Sequence, residues 1–138
     1  MSDLSQPDHM TDMAVELGIQ RGEWGSGKAS FSLLVENRHC NKAGVAHGGL
    51  YTLMFDMALG GSLVCTLKKN EWCATTQINV SFINAAKPGE EIVASGNLEK
   101  RGKHVAHLSG KITTQSGRMI ATATGVWAIW DHKPTSQS

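Results

Sequence analysis

The sequence has almost no excess of charge of either sign. Its 138 residues include 13 lysines and arginines against 12 aspartates and glutamates, which gives a formal net charge of +1 at pH 7. This balance provides no electrostatic case for binding nucleic acid or an acidic membrane surface. We therefore expect neither among its partners, and any anionic ligand must be held by a local patch of cations.

Cysteine is also scarce, and Cys40, Cys65 and Cys73 form no C-x-x-C pair. An odd number of cysteines with this spacing suggests neither a disulfide framework nor a zinc site. The histidines add no metal-binding pattern, because His104 and His107 lie three residues apart on a predicted strand and so face opposite sides. We predict reduced thiols, no metal and no cofactor.

The first residues, Met1-Ser2-Asp3-Leu4, have neither the basic nor the apolar region typical of a signal peptide, so we expect no secretory leader, and long uninterrupted apolar runs are missing. The longest apolar stretch is broken by Asp56 and by the pair Gly60 and Gly61. The length of the chain fits one domain with a single sizeable core. We expect one cytoplasmic domain over residues 1–138, with its core at about 19–131 and polar tails at both ends.

That broken stretch, from Gly48 to Leu67, is the most informative part of the sequence. Asp56 is its only charged residue, and apolar side chains fall on nearly every face of the helix that it predicts. This pattern is typical of a buried central helix, where a carboxylate is costly unless it has a function. At its start, His47 and the pair Gly48 and Gly49 leave backbone amides free to polarise a carbonyl oxygen.

The rest of the chain predicts one short helix, from about Thr11 to Gly18, and six strands. A hairpin around 25–27 precedes the central helix, and the cations at 68–69 mark the end of that helix. Four strands joined by tight turns follow, and in the first of them Thr75 alternates with the apolar residues. The order of elements predicts an α+β fold, in which a largely antiparallel sheet wraps around the central helix.

The spacing of Gly48 and Asp56 bears on assembly. Eight residues of helix separate them, about 12 Å at 1.5 Å per residue, whereas an amide and a carboxylate that serve one reacting carbon need to be roughly 6 Å apart. Two antiparallel copies of the helix would bring Gly48 of one copy against Asp56 of the other. We predict an obligate homodimer with two shared active sites.

Three motifs follow one another along the chain: Asn41-x2-Gly44-x2-His47-Gly48-Gly49-x6-Asp56, the strand Thr75-Thr76-Gln77-Ile78-Asn79-Val80-Ser81-Phe82, and Ala86-Lys87-Pro88-Gly89-Glu90. Together they resemble the hotdog-fold acyl-CoA thioesterases. The most similar branch is the PaaI-like one, which includes the animal thioesterase superfamily proteins. The resemblance covers about residues 31–130, most of the chain.

The resemblance implies a hotdog fold that hydrolyses an acyl- or aryl-CoA thioester to the free acid and coenzyme A. It implies that the Gly48 amide polarises the thioester carbonyl, and that Asp56 of the opposite subunit acts as general base or nucleophile. Asn41 and His47 would orient the thioester or the turn that holds it. The hydroxyl of Thr75 would help to place water.

The resemblance also bears on substrate binding. It implies that Gly49 contributes at the helix start, that the turn with Arg101 and Lys103 meets the coenzyme A phosphates, and that dimers pair into a tetramer. Trp72, next to the helix end, is a candidate for lining the acyl pocket.

Two other functions stay open at this stage. A non-catalytic hotdog module would bind acyl-CoA without hydrolysing it. A hotdog hydratase or dehydratase is less favoured, because such enzymes pair the carboxylate with a histidine on the same short segment, and no histidine follows Asp56 before His104. The identity of the acyl group is open too, as is the choice between base and nucleophile for Asp56.

Overall fold

The computed structural model of the protein describes residues 4–7 and 9–134, so only parts of the polar tails predicted at the two ends lie outside the described residues. All six strands form one antiparallel sheet in the order β1-β2-β4-β5-β6-β3, and α2 contacts every one of them. This arrangement confirms the predicted α+β fold. The elements are α1 (Asp12–Leu17), β1 (Gln20–Gly25), β2 (Lys28–Leu34), α2 (Gly48–Val64), β3 (Trp72–Phe82), β4 (Glu91–Arg101), β5 (Val105–Thr114) and β6 (Met119–Trp130), with a single 3-10 turn at Asn37–His39.

The central helix α2 begins at the predicted residue but ends at Val64, four residues before Lys68. The chain leaves the helix because its last turn tightens, with the amides of Thr66 and Leu67 bonding carbonyls three residues back. The hydroxyl of Thr66 also donates to the carbonyl of Leu63, at 2.7 Å. Among the described residues, no helix, α2 included, has the length and hydrophobicity needed to cross a bilayer.

One side of α2 is not covered by the sheet. Gly49, Thr52 and Asp56 are exposed and, spaced three and four residues apart, form a stripe along the helix, with Leu53 and Met57 half-buried beside it. The prediction that α2 is buried on nearly every face is therefore wrong for the single chain. The sheet encloses only part of the helix circumference, and the carboxylate of Asp56 lies on the open part.

The covered side of α2 lies very close to the sheet, because glycines face it from three neighbouring strands, at Gly96, Gly110 and Gly125. A Cβ atom at Gly96 would lie 2.2 Å from the carbonyl oxygen of Ala58, and one at Gly110 would lie 2.6 Å from Cδ1 of Leu59. Any side chain at these positions would push the helix away. The glycines therefore fix the distance between α2 and the sheet.

The position of β3 differs from the prediction. The tight turns predicted between β4, β5 and β6 are present, but β3 pairs with β6 rather than with β4 and lies at an edge of the sheet. Residues 83–90 cross from one side of the sheet to the other. The guanidinium of Arg118 holds this crossing, donating to the Glu90 carboxylate at 2.8 and 2.9 Å and to the carbonyl of Ala85 at 3.1 Å.

A bulge in β3 changes which side chains face the helix. Thr75 and Gln77 lie opposite consecutive residues of β6, so Thr76 is an extra residue in the strand. Thr75 is thereby opposite Trp127 and faces α2, while Ala74 faces away. The alternation read from the sequence grouped Thr75 with Gln77 instead, and the bulge is the reason that this grouping is wrong.

We expect the substitution Gly96→Ala to lower the free energy of unfolding by about 1–3 kcal/mol, the usual cost of overpacking a core, since backbone atoms of α2 occupy the space. Urea unfolding followed by circular dichroism measures this change. Ser95→Ala, next in sequence but on the sheet face away from α2, is the control and should leave the midpoint nearly unchanged. Equal stability of Gly96→Ala and the wild type would contradict the close packing described above.

Candidate active site

The start of α2 presents two unpaired backbone donors. Within the described part of the chain, the amides of Gly48 and Gly49 donate to no protein oxygen, as the geometry of a first helical turn requires. The ring of Phe82 lies beside them, so that a Cβ atom at Gly48 would be 3.1 Å from its Cε1. The amides lie at the positive end of the helix dipole and are accessible to a carbonyl oxygen.

The loop before α2 is held by Asn41. Its side-chain carbonyl accepts hydrogen bonds from the backbone amides of Ala43, at 2.9 Å, and Val45, at 3.5 Å. The backbone amide of Asn41 donates to the carbonyl of Val45 at 2.8 Å. The amide of His47 donates to the carbonyl of His39 at 2.9 Å, while the His47 side chain is exposed. These contacts set the position of the residue that begins the helix.

Halfway along α2, Asp56 meets β3. The hydroxyl of Thr75 donates a hydrogen bond to Oδ1 of Asp56 at 2.7 Å, a contact that exists because the bulge turns Thr75 toward the helix. Among the described residues, no protein donor bonds the other carboxylate oxygen, and the Asp56 side chain is exposed. The carboxylate is thus oriented by one neighbour and open to a reactant.

A cavity of about 350 Å³ opens beside this carboxylate. Its walls come from α2, from both edges of the sheet and from the segment before α1, and most of them are apolar. Trp24 and Trp127 supply aromatic walls, and no motif in the sequence marked either of them as part of a site. The lining is completed by Asp56 and Thr75 together with His9, Met10, Thr11, Arg21, Phe31, Met57, Gly60, Gly61, Val64, Cys73 and Ala74.

The thiol in this cavity is not a nucleophile near neutral pH. Burial raises the pKa of Cys73 to about 11, an effect that Asp56 and Glu71 reinforce and Arg101 only partly offsets. A thiol with this pKa stays protonated at pH 7 and is unreactive. Within residues 4–7 and 9–134, no cluster of three or more histidine, cysteine or acidic side chains is arranged to hold a metal ion.

Trp72 does not lie in this cavity. It is opposite Trp130 in the strand pairing and shares the sheet face that points away from α2, next to the ammonium of Lys133, which lies 5.1 Å from the centre of its ring. Trp72 therefore does not line the cavity beside Asp56, and its role at an acyl pocket stays a prediction. Neighbours in a strand face opposite sides, and here Cys73 is the residue that faces the cavity.

The two predicted phosphate-binding cations lie at the other end of α2. The guanidinium of Arg101 pairs with the carboxylate of Glu71 and bonds the carbonyl of Thr66 at 3.4 Å. Lys103 is exposed in the turn between β4 and β5. Neither side chain contacts the cavity at Asp56, so a single chain does not bring them together with the reacting groups.

Comparison with known proteins identifies the family. The family model described as "Thioesterase superfamily" matches residues 43–121. The chain belongs to this superfamily. Acyl-coenzyme A thioesterase 13 of Mus musculus is 35% identical over 88 residues, 63% of this chain and 62% of the mouse protein. The chain thus spans less than two thirds of the length of that relative.

Solved structures agree with this assignment. A phenylacetic acid degradation-related protein from Ralstonia eutropha JMP134 has a TM-score of 0.79 at 25% identity, covering 91% of this chain and 95% of that one. The E. coli PaaI protein from the phenylacetic acid degradation operon has a TM-score of 0.76 at 19% identity, with 83% and 86% covered, and shows the shared fold. The predicted PaaI-like hotdog fold is confirmed, and membership of the thioesterase superfamily supports the predicted enzyme class, a thioester hydrolase.

The contact between Thr75 and Asp56 predicts a catalytic role for the hydroxyl. Thr75→Val keeps the shape of the side chain but removes the donor, and we expect kcat to fall roughly tenfold or more, because a hydrogen bond to a charged group contributes about 1.5–3 kcal/mol. Thr75→Ser should retain most of the activity. Steady-state kinetics measures both, with Thr76→Val, the neighbouring threonine at the bulge, as the matched control. If Thr75→Val kept full kcat, the hydroxyl would have no part in the reaction.

Proposed function

We propose that the protein hydrolyses an acyl- or aryl-CoA thioester to the free acid and coenzyme A. The observation that carries this proposal is the Asp56 carboxylate, oriented by Thr75 at the mouth of an apolar cavity. The name of the mouse relative supports coenzyme A thioesters as the substrate class. A cytoplasmic location fits such a substrate and forms part of the proposal.

The chemistry needs only a base and an amide donor. Asp56 removes a proton from water as the water oxygen bonds to the thioester carbon, or its own oxygen attacks that carbon to give an anhydride that water then cleaves. The carbonyl oxygen becomes an oxyanion, which the amide of Gly48 stabilises together with that of Gly49. The carbon–sulfur bond then breaks, and the thiolate of coenzyme A leaves and takes up a proton.

The two groups belong to different copies of the chain in this proposal. Gly48 and Asp56 lie eight positions apart on one continuous helix, about 12 Å at 1.5 Å per residue. The exposed stripe of α2 and the free edge of β3 form one open face, where Ile78 and Val80 are half-buried and Phe82 is 59% exposed. A second copy on this face would extend the sheet through β3 and bring the partner's Gly48 to Asp56.

The wider assembly and coenzyme A binding follow the same arrangement. With antiparallel helices, the end of α2 at Val64 extends roughly 12 Å beyond the partner's Gly48. Arg101 and Lys103, next to that end, would then meet the phosphates at the far end of coenzyme A, with Lys103 the more available because Arg101 is paired with Glu71. The proposed contact between dimers in a tetramer is the sheet face that points away from α2. This face carries a cavity of about 690 Å³, whose lining includes Ser30, Ser95 and Ser109.

Removal of the base is the direct test of the reaction. We expect Asp56→Asn to lower kcat by about 100- to 10,000-fold, the usual contribution of a general base, with little change in the affinity for substrate. Release of free thiol from hexanoyl-, palmitoyl- and phenylacetyl-CoA measures kcat. Calorimetric titration with a non-hydrolysable thioether analogue measures binding.

Asp12→Asn makes the same chemical change on the exposed surface of α1 and should behave as wild type. Binding without turnover in the wild-type protein would favour the non-catalytic acyl-CoA-binding module. Equal turnover in Asp56→Asn and wild type would exclude Asp56 as base and nucleophile.

The shared site predicts complementation between two inactive variants. Gly48→Pro removes the amide at the first helical position, where proline is tolerated, while Gly48→Ala adds a side chain but keeps the amide and is its control. When Gly48→Pro and Asp56→Asn subunits are mixed after unfolding, half of the dimers are mixed and each holds one intact site. We expect about a quarter of wild-type activity to return.

The same mixture should show no gain if both groups act within one chain, because every site would then carry one lesion. Sedimentation of each variant verifies that the dimers form. A wild-type monomer with full activity would contradict the shared site as well.

A further inference from the structure

One wall of the cavity beside Asp56 comes from neither α2 nor the sheet. His9, Met10 and Thr11, the residues just before α1, line it together with aromatic side chains of the sheet. Met10 is partly buried and packs against the hydrophobic core. Because the thioester carbon would react next to Asp56, the acyl group attached to it has this cavity to enter.

The segment that carries Met10 is anchored to the cavity wall by Trp24. The indole N–H of Trp24 donates a hydrogen bond to the carbonyl of Ser5 at 2.9 Å, and Leu4 packs against the core beside it. The ring of Trp24 is itself fixed, since the guanidinium carbon of Arg21 lies 5.3 Å from its centre on one side. A Cβ atom at Gly61 would be 2.9 Å from Cζ3 of the same ring.

We propose that Met10 sets the largest acyl group that the enzyme accepts, and that Trp24 positions the segment that carries it. This inference rests on the proposed function. Hydrophobic pockets distinguish chains by single methylene groups, so the residue that closes such a pocket determines chain-length preference. Met10 is suited to this role, since it lines the cavity and packs against the core, and an unbranched thioether side chain adapts to irregular gaps.

The experiment measures binding by a series of thioether analogues, S-ethyl-, S-hexyl-, S-dodecyl- and S-hexadecyl-CoA, which cannot be hydrolysed. Met10→Ala enlarges the cavity. We expect the affinity to rise about tenfold for the shortest analogue of the series that the wild type binds poorly because of its length. Met10→Trp fills the cavity and should move the length limit to shorter chains. Affinity for S-ethyl-CoA should stay the same in both variants.

Met13→Ala is the matched control, because Met13 lies three residues further on, is 57% exposed and does not line the cavity. Trp24→Phe keeps an aromatic side chain but removes the indole N–H that bonds Ser5, and we expect it to weaken the length limit in the same direction as Met10→Ala. Circular dichroism and thermal unfolding establish that each variant is folded. Length profiles of both Met10 variants that coincide with the wild type would overturn the inference.

Failure of this inference is distinguishable from failure of the proposed function. Thiol release from the corresponding thioesters by the wild-type protein reports on the reaction, whereas the analogue series reports on the pocket alone. Wild-type turnover with unaltered length profiles in the variants would exclude Met10 but leave the reaction standing. A shifted length limit without turnover in the wild type would exclude hydrolysis but support the role of Met10.

Discussion

Close contact between α2 and the backbone of the sheet is the constraint on which the rest of the structure depends. Gly96 and Gly110 face each other in the strand pairing, and both face the helix. Ala58 and Leu59 fill the space that their side chains would have taken. Since this contact fixes the height and rotation of α2, it also determines which residues of the helix remain outside the sheet.

The rotation of α2 against the sheet determines where the reacting groups lie. Asp56 comes two residues before the buried Ala58, about 200° around the helix at 3.6 residues per turn, and falls on the uncovered side. Gly60 and Gly61, one turn after Asp56, leave room for the rings of Trp127 and Trp24 against the helix backbone. One set of small residues thus seats the helix, and another shapes the cavity next to the carboxylate.

Local patterns in the sequence predict much of this structure. The start of α2, the hairpin of β1 and β2, and the tight turns between β4, β5 and β6 follow from glycines, alternation and apolar runs. The spacing of Asn41, His47 and Asp56, together with the motifs at 75–82 and 86–90, indicates the family. These features depend on residues close together in the chain, where propensity and pattern act directly.

Features that depend on distant parts of the chain were not predictable in this way. The pairing of β3 with β6 and the extra residue Thr76 arise from strand register, which no local period records. The same bulge decides that Thr75 and not its neighbour meets Asp56. Met10 and Trp24 come together with Asp56 only in three dimensions, and no motif connects them.

The unpaired edge of β3 also makes the newly synthesised monomer prone to aggregation. Along the eleven residues of β3, alternate residues point their N–H and C=O groups away from β6, and such an edge can pair with another exposed strand. Rapid pairing with a second copy would remove this hazard. Substitutions on that edge would thus lower the amount of folded protein in the cell before they changed the catalytic activity of the folded protein.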